Sequence, residues 1–204
     1  MRSLGWFLIG VVSVPVFAVL FGLVMLKSSA HGFSAHTQPM FVEKFAAGQA
    51  RLMALPSDAK NKKNPVPNSS EVLTEARGHW ADHCAVCHGN DGSGQTEMGK
   101  NMYPPAPDMR KHETQDMTDG QLFYIIENGV RLSGMPAWGG GSEHGEEDSW
   151  NLVRFIRHLP VLSPNEIQEM EKLNPKTPEE REEEQQEEQF LKAGNLPTKD
   201  QHHH

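Results

Sequence analysis

The stretch "WADHCAVCHG", residues 80–89, holds the only two cysteines of this 204-residue chain, Cys84 and Cys87, and His88 follows the second directly. Cysteines two residues apart suit a redox dithiol, half of a zinc site, or the attachment point of a larger group. A thioredoxin-type dithiol needs a strand before it and a helix after it, in an α/β chain. Here a helical pattern precedes the pair and a Gly-rich loop follows. A structural zinc ion needs four ligands. His83 and His88 are adjacent, yet no second Cys/His pair completes a tetrahedron.

The spelling Cys-x-x-Cys-His is the covalent attachment signature of c-type haem. The two thiols add to the vinyl groups, which fixes one porphyrin edge, and the next histidine reaches the proximal face of the iron. Both cysteines are then consumed. Forty-seven residues further on, "GMPAWGG" places Met135 between Gly134 and Pro136, in a constrained loop able to aim one side chain at the open axial position. A thioether sixth ligand favours Fe(II) and raises the reduction potential. Met98, Met102, Met109, Met117 and His144 remain alternatives, as does an open sixth site.

The amino-terminal run 4–26, "LGWFLIGVVSVPVFAVLFGLVML", carries no charge and is flanked by Arg2 and Lys27. Twenty-three helical residues reach about 35 Å, enough for a hydrocarbon core of about 30 Å. The rival is a cleaved signal peptide with "SSA" (28–30) as the processing site. The run exceeds the usual apolar length of such signals, so an uncleaved transmembrane anchor is expected. The formal net charge is −8, unevenly spread. Residues 1–69 carry 7 basic and 2 acidic side chains, net +5. Residues 70–162 carry a net −7 and residues 163–204 a net −6. The acidic balance, with no long basic run, argues against nucleic acid as a partner.

After the anchor, residues 27–69 read as a short helix over 39–55 and then an exposed Pro/Lys-rich linker, "PSDAKNKKNPVPNSS" (56–70). Residues 70–162 are the expected folded domain. "SEVLTEARGHWADH" is an amphipathic helix with Val72, Leu73, Ala76 and Trp80 on one stripe. An irregular stretch follows from Gly89 to about Asp108. "TDGQLFYIIENGV" is a second helix, with Leu122, Ile125 and Ile126 inward and Gly129 as its stop. "EEDSWNLVRFIRHL" is a third, burying Trp150, Val153, Ile156, Leu152 and Phe155. No alternating strand stands out, so the fold class is all-α with long loops. In the tail, 163–204, "SPNE" and "TPEE" are helix-initiation signals. "EEREEEQQEEQF" has almost no apolar face, so the acidic tail is expected to be helical or disordered. His202–His204 read as a tag remnant or irregular terminus, or as a weak metal-binding tract.

From about residue 70 to 160 the chain resembles the class I (monohaem) bacterial cytochrome c domain, also found in oxidase and dehydrogenase subunits. The resemblance rests on "CAVCHG", "YPPAPDM" (103–109), "QLFYIIENGV" (121–130), "GMPAWGG" and "WNLVRFIRHLP" (150–160), matching as an ordered set. It implies three to five helices around one covalently bound haem c. Cys84 and Cys87 would be thioether sites, with His88 and Met135 as iron ligands. A backbone carbonyl of the Pro104–Pro107 segment, Pro104 and Pro105 included, would accept from the other ring nitrogen of His88. Trp80 and Phe155 would meet where the first and last helices cross. Trp138 would bond a haem propionate or simply pack in the core.

The resemblance also implies a single-pass protein of the bacterial cytoplasmic membrane with its haem domain on the periplasmic, outer side. Its job would be outer-sphere electron transfer in or beside a respiratory chain, with an oxidase, a dehydrogenase or another cytochrome as redox partner. It would be a free carrier, not an enzyme, or a subunit of a larger oxidoreductase complex. A peroxidase or gas sensor would need an open sixth site. Glu143, Glu146, Glu147 and Asp148 follow the Met135 loop and either steer a basic partner or form an ordinary helix start.

Overall fold

A computed structural model describes residues 2–28, 34–141 and 143–194, and for some helical positions, Glu143 and His144 among them, the backbone alone. Helix α1 (Arg2–Ser28) and helix α2 (Phe41–Ala54) precede the domain. Within α1 the side chains are described at Trp6, from Gly10 to Met25 and at Lys27, a shorter run than the uncharged 4–26. Among the described residues no helix is long and apolar enough to cross a membrane.

The domain begins with α3 (Ser70–His79), capped by the Ser69 hydroxyl, which accepts from the Val72 N–H. It runs without a break through a π-helical turn, Trp80–Cys84, into α4 (Ala85–His88). A short helix, α5 (Glu97–Lys100), punctuates the stretch expected to be irregular, and a second, α6 (His112–Gln115), follows just after it. The sequence hides them because each is a single turn, set by Thr96 capping Gly99 in one case and by packing in the other. Helix α7 (Asp119–Asn128) starts in a full capping box between Thr118 and Gln121 and stops at Gly129, whose φ is +65°. Helix α8 (Glu143–His158) closes the domain against α3 and α7. All described regular structure is helical.

The core lies where α3, α7 and α8 meet. Trp80 and Phe155 sit at the α3–α8 crossing with ring centroids 5.5 Å apart, and Phe123 stacks on Trp150 at 4.1 Å. The expected inward positions Leu122, Ile126, Leu152, Val153 and Ile156 are all buried, and Ile125 packs against them at the edge. Each fully buried side chain of this size contributes about 1.5–3 kcal/mol.

Two expectations need correction. The linker is not free: Leu55, Ala59 and Val66 are buried, and residues 55–66 lie as a strap along α7 and α8. Arg154 donates to the Val66 carbonyl (Nη2 at 2.6 Å, Nε at 2.9 Å), and Asn64 Nδ2 donates to the Trp150 carbonyl at 2.9 Å. Composition suggested solvent because the lysines are exposed, while the apolar residues between them turn inward.

Nor does the packed unit end at residue 162. Helix α9 (Pro164–Glu171) places Met170 in the core at 0% exposure. Arg77 on α3 pairs with Glu169 at 2.9 Å, and His158 meets Glu166 at 2.9 Å. Helix α10 (Pro178–Gly194), by contrast, exposes its side chains wherever they are described. Residues 195–204, with His202–His204, lie outside the described residues.

Candidate functional site

The "CAVCH" turn forms the end of the α3–π–α4 run, so Cys84, Cys87 and His88 arrive on one stretch of continuous helix. The π turn inserts one extra residue per hydrogen bond, from the Ala85 N–H to the Trp80 carbonyl. Such widened turns recur at functional sites. Trp80 then reaches back over the turn: its Nε1–H donates to the Gly89 carbonyl at 3.0 Å, and its ring lies 5.8 Å from the His88 ring.

The following loop folds against the turn and holds it. Thr96 Oγ1 lies 2.8 Å from the Val86 carbonyl and 3.1 Å from that of Cys87, two acceptors sharing one hydroxyl hydrogen. The Gly94 N–H donates to the His88 carbonyl at 2.7 Å. Gly99 comes so close that a Cβ there would stand 2.2 Å from the Cys87 carbonyl oxygen. None of these three residues was singled out from sequence, and only the threonine, as a helix cap, carries a readable signal.

Both cysteines are free thiols. Burial, and then the neighbouring Cys87, push the Cys84 thiol up to about 12; burial also raises Cys87. Burial lowers the pKa of His88, and the backbone carbonyl of Pro107 acts in the opposite direction. Nδ1 of His88 is nonetheless buried without a partner at hydrogen-bonding geometry. The carbonyl beside the ring thus belongs to the far end of the 104–107 segment from Pro104 and Pro105. That segment is itself fixed by Ala106 N–H to the Gly99 carbonyl at 3.0 Å.

The Met135 loop hangs from the end of α7. Trp138 N–H donates to the Ile126 carbonyl and Gly139 N–H to the Glu127 carbonyl, each at 3.0 Å. Inside the loop, Val130 N–H donates to the Met135 carbonyl at 3.1 Å, and the Met135 N–H to Ser133 Oγ at 3.2 Å. The Trp138 ring, partly exposed rather than in the core, meets His83 edge-on at 5.4 Å. That contact brings the loop beside the residue preceding Cys84. Met102 supports it from another side: its Sδ would be 2.6 Å from a Cβ at Gly134. Glu146 and Glu147 are exposed and Asp148 half-buried, while the Glu143 side chain and the alternative ligand His144 lie outside the described side chains. Among the described residues no cluster of His, Cys, Asp or Glu is arranged to hold a metal ion by itself.

Two free thiols and a buried imidazole with an unpartnered nitrogen on one helical run suit a tethered haem and no other cofactor considered above. Residues 71–156 match the family described as "Cytochrome C oxidase, cbb3-type, subunit III". Residues 71–156 are a cytochrome c domain. The cofactor of this cytochrome c domain is haem c, attached covalently through the Cys84 and Cys87 pair beside His88. The domain is an electron carrier, and its family implies redox partners such as an oxidase.

Proposed function

We propose that this chain is a membrane-anchored monohaem carrier with His88 and Met135 as the axial ligands, passing single electrons in or beside a respiratory chain. The observation that carries the reading is the buried His88, with the Pro107 carbonyl beside its ring, on the same helical run as both cysteines. When bound, the haem supplies a one-electron Fe(III)/Fe(II) change with little rearrangement. His88 would hold the haem iron, and the Pro107 carbonyl beside its ring, at the end of the Pro104–Pro105 segment, would set its tautomer and strength as a ligand by accepting from Nδ1–H. Met135 would hold the other side, where a thioether would favour the reduced state and keep small ligands out. Trp138, at the rim of the Met135 loop, is exposed enough to reach a propionate.

The anchor belongs to the same reading: 4–26 as membrane span, 27–69 as short helix and strap, and a haem domain that begins at 70 and continues past 162 through α9, with the acidic tail after it. Support comes from α1 as one helix of 27 residues, about 40 Å long. Its described apolar side chains, from Trp6 through Phe17 and Leu20 to Val24, are exposed. Haem attachment places the domain on the outer, periplasmic face of a bacterial cytoplasmic membrane.

Absorption spectra of membranes carrying the protein test the ligand set. Met135→Ala is expected to keep covalent haem, lose the weak long-wavelength band of thioether-ligated ferric iron, and gain carbon monoxide binding when reduced. An unchanged spectrum would remove Met135 from the site and turn attention to Met102. Because the matched family is an oxidase subunit, residence in a larger complex is the second reading. Co-purification of a catalytic subunit after mild solubilisation distinguishes it from a free carrier.

A further inference from the structure

Helix α2 carries an apolar face that none of the described residues covers. Phe41, Val42, Phe45, Leu52 and Met53 are exposed, from 36% at Leu52 to 84% at Met53. At 100° per residue these five fall within an arc of about 120°. Residues that touch the haem domain lie elsewhere on the helix. The Tyr103 hydroxyl donates a short hydrogen bond to the Glu43 carboxylate, and Arg51 is partly buried with its Nε unpartnered. The helix therefore leans on the domain by its polar side and turns its phenylalanines outward, the reverse of what folding alone would select.

We infer that this face of α2 lies on the surface of an anionic bilayer and holds the haem domain in a fixed orientation there. The inference rests on the anchor proposed above. Three observations favour lipid as the occupant. Only residues 29–40 separate α1 from α2, and fully extended they span about 40 Å, so α2 stays near the membrane. Residues 1–69 are the basic part of the chain, with Lys27 before α2 and the exposed Lys60, Lys62 and Lys63 after it, whereas the domain and tail are acidic. Anionic headgroups attract the first and repel the second. An amphipathic helix with aromatic and Met side chains on one face and bases around it suits the headgroup boundary. The strap then matters for function: because 55–66 is latched to α7 and α8, α2 cannot settle on the membrane without orienting the haem domain with it.

Haem attachment consumes Cys84 and Cys87, so one added cysteine in the full chain is the sole thiol available for a nitroxide label. We would label Phe41→Cys and Met53→Cys on the apolar face, Ala47→Cys on the opposite one, and Phe17→Cys in α1. Each variant is reconstituted in phosphatidylcholine vesicles containing phosphatidylglycerol. Collision with oxygen, which partitions into lipid, is compared with collision with a water-soluble nickel chelate. Labels at 41 and 53 are expected to show an oxygen-to-nickel ratio several-fold above that at 47, with 17 higher still. Equal ratios at 41, 53 and 47, with 17 in hydrocarbon, would overturn the inference and leave the anchor standing. Low collision with both reagents at 41 and 53 would mean that protein, a second copy or another subunit, covers the face, and would also overturn it. Nickel access at 17 as well would remove the anchor and the inference together.

Discussion

The attachment side of the haem site and its Met135 side are built differently. Between Trp80 and Gly99, backbone carbonyls are held by side chains, the Trp80 indole and the Thr96 hydroxyl, and Gly99 approaches within the space of a missing methyl. Behind this side, α9 braces α3 through Arg77, with Met170 buried in the core. The 129–141 loop bonds mainly to itself and to the last turn of α7. It is open enough to leave Leu132 almost fully exposed at φ +60°. A covalent tether needs its two thiols and its histidine in one register before reaction, so that side is rigid. Met135, as the proposed axial ligand, would close on iron after the tether has formed, and for that a loop anchored at its base would suffice.

The largest test removes the tether. Cys84→Ala with Cys87→Ala is expected to abolish covalent haem and leave a domain that proteases digest readily, because the small core relies on the cofactor for apolar contact. A compact, protease-resistant protein without haem would show that the attachment side holds itself together unaided. Next comes Gly99→Ala, which overpacks that side and is expected to cost about 2–3 kcal/mol in urea unfolding. Its counterpart, Gly140→Ala in the Met135 loop, meets nothing within 4 Å and is expected to change stability by less than about 0.5 kcal/mol. Comparable losses at both positions would erase the contrast.

Acid probes the α9 brace. Burial alone would raise the Glu166 carboxyl, but the Ser163 N–H and hydroxyl and then His158 outweigh it and hold it at about 2, against an ordinary 4.5. The folded state prefers the carboxylate, so this stabilisation is complete above pH 4.5 and is lost as pH falls towards 2. Glu166→Gln is expected to flatten that part of the pH–stability curve, and an unchanged acid limb would show that the brace carries no linkage. The smallest effect is Leu132→Gly. Glycine adopts φ +60° without the penalty a leucine bears, and a gain of up to about 1 kcal/mol in thermal unfolding is expected. A loss instead would show that the exposed leucine makes contacts in the holoprotein.

Much of the architecture was legible residue by residue. The stripe through Ala76 and Trp80, the inward Leu122 and Ile126, and the Trp150–Ile156 face all follow a 3.6-residue period, and Ser163 and Thr177 announce their helices as caps. What escaped was contact between segments of opposite local character. Leu55, Ala59 and Val66 are isolated among lysines and prolines, so no period marks them as buried. Ser163 and Thr177 open with the same signal, yet only the first helix carries Ile167 and Met170 where α3 and α8 can cover them.

Chemistry of attachment was decided by sequence alone. Two thiols and an imidazole must share a helical turn to tether one haem, so Cys84, Cys87 and His88 are adjacent in the chain and can be read there. The setting of that chemistry was decided only by tertiary structure. Which carbonyl faces His88, which glycine lets the loop close over Cys87, and where Met102 props Gly134 depend on segments meeting through space, and no spacing in the chain encodes such meetings.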